Sequence, residues 1–176
     1  WSTLSGSPGF SKLYTNMTYV SGTNDLYVIQ GKDSRAVWRY NTSSDTWYDD
    51  VEDLPEGCSD SCSIHYPRTG GDYIYCTRGK GYNNFWKYSV VSGTWSDATN
   101  LEAYNDLVWG LSSSNDDKLY SANASVLYEY CIVSGTWSIK TLGLDYSDTY
   151  KRLESDGENI YLFGDNGLYK YDLSVL

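Results

Sequence analysis

The chain is poor in the residues from which most reaction centres are built. Its 176 residues include one histidine, one methionine, three phenylalanines and three prolines. The lone histidine, His65, cannot supply a histidine-based metal site, and no serine lies in a glycine-flanked nucleophile elbow. A phosphate-binding loop motif is missing as well. We therefore expect a protein that is not an enzyme and that holds no metal or cofactor.

Basic charge and long apolar runs are also scarce. The sequence has 13 Lys and Arg against 23 Asp and Glu, which gives a net charge of −10 and a pI near 4.4. Nucleic acids and anionic membranes bind basic surfaces, so we expect neither as a partner. No apolar run approaches the roughly 20 residues that cross a bilayer, so no membrane insertion is expected. The sequence contains no recognisable signal peptide, and its start at Trp1, inside a repeat, is typical of a processed or excised segment.

Tyrosine and tryptophan, by contrast, are abundant, with 19 and 7 residues. These side chains bury large faces while a polar group stays in contact with water, which suits sheets with solvated edges. In three segments a tyrosine is followed seven residues later by a tryptophan: Tyr40–Trp47, Tyr88–Trp95 and Tyr130–Trp137. Tyr171 stands at the next step of this repeat, with no tryptophan after it.

A second landmark of each repeat is a short β-prone run that follows a polar turn. The runs are Asp25–Ile29, Asp72–Cys76, Lys118–Ser121 and Asn159–Phe163. The Gly, Asn and Asp clusters before them indicate hairpins, with further strands near 13–20, 61–68, 106–113 and 149–155. The repeated tyrosines are 48, 42 and 41 residues apart. Four strands within a period of about 40–50 residues are typical of a β-propeller blade.

The sequence thus predicts an all-β fold: one four-bladed β-propeller over residues 1–176, with four antiparallel strands per blade and almost no helix. The predicted blades span about 13–51, 61–99, 106–142, and 149–173 plus 1–4. The last assignment rests on Trp1-Ser2-Thr3-Leu4, which matches the residues that follow Trp95 and Trp137. We expect this segment to close the ring as the outer strand of blade four. The alternative is that the chain is part of a longer array of blades and was cut at this point of the repeat by accident.

The four cysteines are Cys58, Cys62, Cys76 and Cys131. Their spacing does not form the two close pairs of a structural zinc site, and an even count in this polar chain favours disulfides and an oxidising compartment. Four cysteines allow three pairings. We expect Cys58–Cys62 within one loop and Cys76–Cys131 between neighbouring blades.

The combination of Ile160-Tyr-Leu-Phe-Gly164 with Tyr171-Asp172 resembles the kelch repeat, and Tyr130 to Trp137 keeps the tyrosine-to-tryptophan spacing of that family. The resemblance covers nearly the whole chain and implies a kelch-like propeller. Two features depart from the family. The double glycine after the second strand is reduced to one at Gly31, Gly79 and Gly164 and is absent from blade three, and kelch propellers usually have more than four blades. Closure with four short blades is similar to hemopexin-type repeats, which lack the Thr-Trp ending.

Three sequons are candidate glycosylation sites: Asn16, Asn41 and Asn123. Asn41 and Asn123 fall in predicted turns, where a glycan would be solvated, whereas Asn16 falls in a predicted strand. His65 is interpreted as a strand residue with a satisfied hydrogen bond. The acidic turns at 115–117 and 156–158 are interpreted as solvated turns rather than as calcium sites.

The connections between the second and third strands differ among the blades. In blades one and two they are longer and place a basic group of residues on one rim of an acidic ring: Lys32, Arg35, Arg78, Lys80 and Tyr82. Loops on one face of a scaffold often bind partners, which makes this group the candidate contact site, and ordinary variation in loop length is the alternative. We expect a non-catalytic, extracellular or cell-surface structural module that acts through protein–protein contacts or self-assembly. A carbohydrate- or protein-binding propeller is the alternative.

Overall fold

The computed structural model of the chain describes residues 1–9, 15–79, 81–101, 109–122, 126–141, 150–164 and 167–175. In these ranges the strands form four antiparallel sheets, arranged as a four-bladed β-propeller. The helical content of these ranges is one short 3-10 turn, Leu173–Val175. No helix of the described residues is long and apolar enough to cross a membrane. The predicted fold class is therefore confirmed.

Each sheet is a meander of consecutive strands. Blade one holds β1 (Asn16–Tyr19), β2 (Asp25–Ile29), β3 (Val37–Asn41) and β4 (Thr46–Tyr48). Blade two holds β5 (Ser63–His65), β6 (Tyr73–Thr77), β7 (Phe85–Ser89) and β8 (Thr94–Asp97). Blade three holds β9 (Trp109–Ser113), β10 (Lys118–Ala122), β11 (Val126–Cys131) and β12 (Thr136–Thr141). Blade four holds β13 (Tyr150–Ser155), β14 (Asn159–Gly164) and β15 (Leu168–Asp172).

The first strand of each blade lies at the centre of the ring, where β1 contacts β5, β5 contacts β9, and β9 contacts β13. Buried clusters fill the spaces between blades. Ile29 and Ile64 join blades one and two, Tyr75 and Leu119 join two and three, and Ala122 and Leu153 join three and four. No buried cluster of the described residues joins blade four to blade one. Among the described residues, the seam is thus the one interface between neighbouring blades without a shared buried cluster.

The expected closure of this seam by residues 1–4 is wrong. Within the described ranges blade four has three strands, residues 1–4 belong to none of them, and Trp1 is fully exposed. A physical reason lies in the connections. The outer strands β4, β8 and β12 each follow their neighbour through a tight turn, so pairing needs little loop-closure entropy. The 1–4 segment has no such turn to blade four.

The Tyr–Trp repeat is a cross-strand pair in three blades. The pairs are Tyr40 with Trp47, Tyr88 with Trp95 and Tyr130 with Trp137, with ring centroids 4.9, 5.2 and 5.0 Å apart. All three tryptophans are half-buried. Tilted aromatic contacts at this distance stabilise a sheet beyond the area that they bury. The repeat therefore fixes the outer strand of each complete blade.

The turn inside this repeat needs a left-handed residue. Asp45, Gly93 and Gly135 occupy the equivalent position and have φ of 51°, 73° and 68°. Glycine reaches this region without steric cost, and aspartate is among the residues that tolerate it. In blade one the Asp45 carboxylate also accepts a hydrogen bond from the Tyr40 hydroxyl at 2.5 Å. This turn explains why a small or acidic residue comes two positions before each tryptophan.

Each of the three tryptophans also ties its blade to the linker that precedes it. The indole Nε1 of Trp95 donates to the Glu52 backbone oxygen at 2.8 Å, and that of Trp137 donates to Thr99 at 2.8 Å. Trp47 donates to the Ser5 oxygen at 3.2 Å. Ser5 thus occupies on blade one the place that the inter-blade linkers occupy on blades two and three. The N-terminal segment is anchored at the seam even though residues 1–4 form no strand.

Candidate functional site

The meander order gives the propeller two different faces. The first-to-second connections of all four blades and the third-to-fourth connections of blades one, two and three lie on one face, which we call the turn face. The second-to-third connections of blades one and two and the linker between these blades, in their described residues, lie on the other, which we call the loop face. The sequence-predicted contact group belongs to the loop face.

A disulfide loop organises the loop face between blades one and two. Cys58 and Cys62 are bonded, with their Cα atoms 5.8 Å apart, as expected from the sequence. The Cys58 N–H donates to the Ser34 oxygen at 2.8 Å, and the Ser59 N–H donates to the Arg78 oxygen at 3.1 Å. A Cβ on Gly79 would lie 2.4 Å from the Asp60 oxygen, so only glycine allows this approach. The loop therefore holds both long connections in place.

The expected Cys76–Cys131 disulfide is wrong, because both thiols are free. Cys76 is fully buried on β6 in the cluster between blades one and two. Cys131 lies on blade three, beyond the opposite face of the blade-two sheet. Burial raises the pKa of the Cys76 thiol, whereas hydrogen bonds from Ser134 lower the pKa of Cys131.

Two of the predicted contact residues are engaged within the molecule. Arg78 forms an ion pair with Glu56 at 2.5 Å and stacks over the ring of Tyr82, with its Cζ 3.6 Å from the centroid. The Arg35 Nε donates to the Leu54 oxygen at 2.6 Å. Lys32 is exposed, as is Tyr82. Lys80 lies outside the described residues. Arg35 and Arg78 thus help to order the rim, which leaves less free positive charge than the sequence suggests.

The glycosylation candidates are placed unevenly. Asn41 ends β3, and its side chain is used: Nδ2 donates to Asp25 at 2.7 Å, and Oδ1 accepts the Ser44 N–H at 3.0 Å. Asn16 begins β1 and lies in the wall of a central cavity. Asn123 lies outside the described residues.

This central cavity is a feature that the sequence did not reveal. It lies on the ring axis, has a volume of about 590 Å³, and is lined by residues of all four innermost strands. Ser61 and Cys62 of the disulfide loop contribute to the wall, which places the mouth on the loop face. The charged residues of its lining are Arg152 and Glu154, and two exposed apolar side chains, Met17 and Phe163, lie beside them.

His65 also lines the cavity and has the satisfied hydrogen bond expected of it. Its Nε2 lies 2.9 Å from the Ser113 hydroxyl, which itself accepts the Arg68 N–H at 2.9 Å. Burial, and secondarily the charge of Arg68, lower the His65 pKa to about 4, so the ring is neutral at pH 7. In the described part of the chain, no group of three or more His, Cys, Asp or Glu is placed to hold a metal.

The outer edge of blade four is a second feature of note. Tyr171 occupies on β15 the position of Tyr40, Tyr88 and Tyr130, yet in the described residues no strand lies beside it. Leu168 at the start of β15 is 68% exposed. This edge, which we call the open edge, contrasts with the other blades, where the outer strand covers the same position.

Comparison with known proteins supports the fold alone. No protein-family model matches the chain, and no curated protein sequence matches it significantly. Among solved structures, the chain is similar to the crystal structure of the computationally designed Ika4 protein. The TM-score is 0.65 at 10% identity, covering 98% of this chain and 99% of that chain.

One signal for the cavity was present in the sequence. Phe163 aligns by strand register with Ile29, Thr77 and Ala122, which are buried, whereas Phe163 is 53% exposed. Its partner across the ladder, Arg152, starts an Arg-Leu-Glu run on an innermost strand. Charged residues on the axial side of a narrow ring would have pointed to a solvated centre. The open edge had no such signal. Trp1-Ser2 resembles the start of the outer strands at Trp95-Ser96 and Trp137-Ser138, so the sequence predicted a strand at this edge.

Proposed function

We propose that this propeller is a non-catalytic structural module of an extracellular assembly, such as a sheath, filament or surface appendage, and that copies join through the open edge of blade four. The observation that carries the proposal is the missing neighbour of Tyr171. In the three complete blades the equivalent tyrosine packs on a tryptophan of the outer strand. Blade four keeps the tyrosine, and among the described residues no strand lies beside it.

The open edge carries backbone groups that suit strand addition. Gly164 donates its N–H to Gly167 at 2.9 Å, and Leu173 donates to Glu158 at 3.1 Å. Hydrogen-bonded pairs alternate along an antiparallel ladder, so Leu168, Lys170 and Asp172 direct their N–H and C=O groups outward. Unpaired groups of an edge strand readily bind an extended segment of another chain.

The occupant that fits best is the Trp1–Leu4 segment of a second copy. Trp1-Ser2 repeats the Trp95-Ser96 and Trp137-Ser138 of the outer strands. Trp1 is fully exposed on its own chain, so its burial on a neighbour would remove a large apolar surface from water. The contact joins two different surfaces of the same molecule. Such head-to-tail contacts build rings or filaments according to the rotation between copies.

Other features agree with an extracellular setting. The Cys58–Cys62 disulfide is typical of oxidising compartments, and sequons at Asn41 and Asn123 would offer glycan sites there. The kelch-like assignment is supported by the shared Tyr-to-Trp spacing, which forms a real ring contact in three blades. On the rim, the contact candidates are Lys32, Arg35, Arg78, Lys80 and Tyr82.

The experiment is sedimentation velocity of the purified chain over a wide concentration range. We expect concentration-dependent association that is lost in Trp1→Ala and in Lys170→Pro. Proline at position 170 removes an outward N–H without touching a β14–β15 hydrogen bond. The matched controls are Lys170→Ala and Val91→Ala, the latter an exposed valine of a turn in blade two.

A monomer at every concentration would overturn the proposal. So would association that Lys170→Pro leaves unchanged. Burial of Trp1 in a monomer, detected by its fluorescence in a variant series, would mean that the edge is covered by its own chain and would also overturn it. A carbohydrate-binding role is favoured by a different observation, the axial cavity.

A further inference from the structure

We propose that the axial cavity is a binding site for a neutral saccharide. The site lies on the ring axis and opens on the loop face, away from the open edge of blade four. The proposal is therefore independent of the assembly described above. Its volume of about 590 Å³ falls within the range of ligand pockets, roughly 300–1,000 Å³.

The polar part of the site is a donor beside an acceptor. Arg152 and Glu154 are two residues apart on β13, so their side chains project from the same face of the strand. Leu153 between them projects from the other face and is buried against blade three. A guanidinium and a carboxylate side by side match two adjacent hydroxyls of a sugar ring, since each hydroxyl both donates and accepts hydrogen bonds. Asn16 and Ser61 add an amide and a hydroxyl to the same wall.

The charge of the site argues for an uncharged ligand. Arg152 and Glu154 cancel one another, and His65 adds no charge at neutral pH because its imidazole is held in the neutral form. The chain as a whole carries −10. An anion would meet the repulsion of that field, and a cation would find a single carboxylate with a guanidinium beside it. A neutral polyhydroxyl compound carries no charge, so it needs no opposite charge in the site.

The apolar part of the site is Phe163 together with Met17. Phe163 lies directly opposite Arg152 in the β13–β14 ladder, and cross-strand partners have Cβ atoms roughly 4.5–5.5 Å apart. Its ring is 53% exposed, and Met17 is 64% exposed. Adjoining exposed apolar side chains that are rimmed by polar residues mark ligand-binding grooves. The C–H face of a pyranose packs on an aromatic ring while its hydroxyls reach polar neighbours, and this cavity places an aromatic ring beside polar side chains.

The test is an NMR titration of the purified full chain with glucose, galactose, mannose, maltose, cellobiose and lactose, followed by calorimetry for those that bind. We expect at least one of these sugars to shift the amide signals of Arg152, Glu154 and Phe163. Phe163→Ala is expected to weaken binding about tenfold, the equivalent of about 1.4 kcal/mol of lost stacking. Because Phe163 is half-exposed, this variant should keep the thermal stability of the wild type. Val91→Ala, on the turn face, is the matched control and should bind as the wild type does.

Three results would overturn the inference. The first is no shift of the cavity signals with any of the six sugars. The second is binding that Phe163→Ala and Glu154→Gln leave unchanged, which would place the sugar elsewhere. The third is binding of glucuronate or glucosamine in preference to the neutral sugars, which would contradict the charge argument. None of these results depends on whether the chain self-associates.

Discussion

The ring of Trp137 packs against Tyr130 across the β11–β12 ladder, with centroids 5.0 Å apart, while its indole N–H donates to the Thr99 oxygen at 2.8 Å. One side chain thus holds the outer strand to its own blade and to the linker that enters it. Trp95 and Trp47 make the equivalent pairs of contacts. Trp1 makes neither kind with the described residues, although its sequence context is similar.

This difference predicts that truncating Trp137 destabilises the monomer and that truncating Trp1 does not. Trp137→Ala should lower the free energy of unfolding by about 3 kcal/mol, the low end for large core truncations, because the ring is only half-buried. Trp137→Phe keeps an aromatic ring and loses the indole donor, so about 1 kcal/mol is expected. Trp1→Ala should leave the monomer unchanged. Urea denaturation of dilute protein measures all three, and a Trp1→Ala monomer as unstable as Trp137→Ala would contradict the assignment.

The left-handed turn position makes a second prediction. Gly135→Ala should destabilise the protein by roughly 1–2 kcal/mol, the cost of a Cβ in the left-handed region. Its Cβ would lie 3.7 Å from the Tyr130 hydroxyl, an ordinary contact, so backbone strain accounts for the effect. Gly6→Ala is the control, since a Cβ there meets nothing within 4 Å and φ is not positive. Equal midpoints of thermal unfolding for the two variants would refute the explanation.

Acid sensitivity gives a third prediction through His65. Its pKa is lowered to about 4 in the folded chain, chiefly by burial, against 6.5 for the free side chain. Below pH 6.5 the unfolded chain therefore binds a proton that the folded chain does not. The contribution of neutral His65 to the free energy of unfolding is therefore complete above pH 6.5. It is lost as pH falls toward 4, by up to roughly 1.4 kcal/mol per pH unit.

The measurement is unfolding of the wild type and of His65→Gln at a series of pH values. The glutamine variant keeps a hydrogen-bonding group near Ser113 and cannot titrate. The difference in stability between the two proteins should therefore change between pH 6.5 and 4 and be level above that window. A difference that stays constant across the window would show that His65 does not titrate as described.

Thiol chemistry provides a fourth prediction. Cys131 is partly exposed and its pKa is lowered by Ser134, so it should react quickly with iodoacetamide in the native protein. Cys76 is buried with a raised pKa and should react only on unfolding. Cys58 and Cys62 should require reduction first. Peptide mass spectrometry after timed alkylation assigns each site, with Cys131→Ser as the control. Rapid labelling of Cys76 in folded protein would be inconsistent with its position in the core.

The sequence predicted the blades well because their signals are local. The second strands of the blades, such as β2 at Asp25–Ile29, follow polar turns and were predicted to within a residue or two. The Cys58–Cys62 bond, four residues apart, was predicted for the same reason. The Cys76–Cys131 pairing failed because it depends on which side of a sheet a residue faces relative to another blade. The side of the sheet on which a cysteine is buried is decided by the packing between blades and not by spacing along the chain.

The closure by Trp1 failed for a related reason. A motif can repeat in sequence without the turn that brings its strand to the neighbouring strand, and residues 1–4 lack that turn. The axial cavity was not predicted at all, since it is formed by four strands that are distant in sequence. Conversely, the Ser5 contact with Trp47 holds the N-terminal segment at the seam, which is where the repeat pattern predicted that segment to lie. The sequence thus indicated where the segment attaches but not how it pairs.

Ionic strength should modulate the proposed assembly. Every copy carries a net charge of −10, so copies repel one another at low salt. Adding sodium chloride screens this repulsion within a Debye length of about 10 Å at 0.1 M, and association through an uncharged strand contact should strengthen. Sedimentation at several salt concentrations measures the trend. Association that weakens with salt would instead indicate attraction between the basic rim and an acidic surface of the next copy.

Backbone hydrogen exchange at the open edge tests the central claim most directly. The amides of Leu168, Lys170 and Asp172 point outward from β15, whereas those of Tyr169 and Tyr171 point to β14. Measured by NMR or mass spectrometry, the three outward amides should exchange quickly in dilute protein and become protected when the chain associates, with Trp1→Ala abolishing the protection. Outward amides that exchange equally fast in the associated protein, or that are already protected in the monomer, would contradict assembly through this edge.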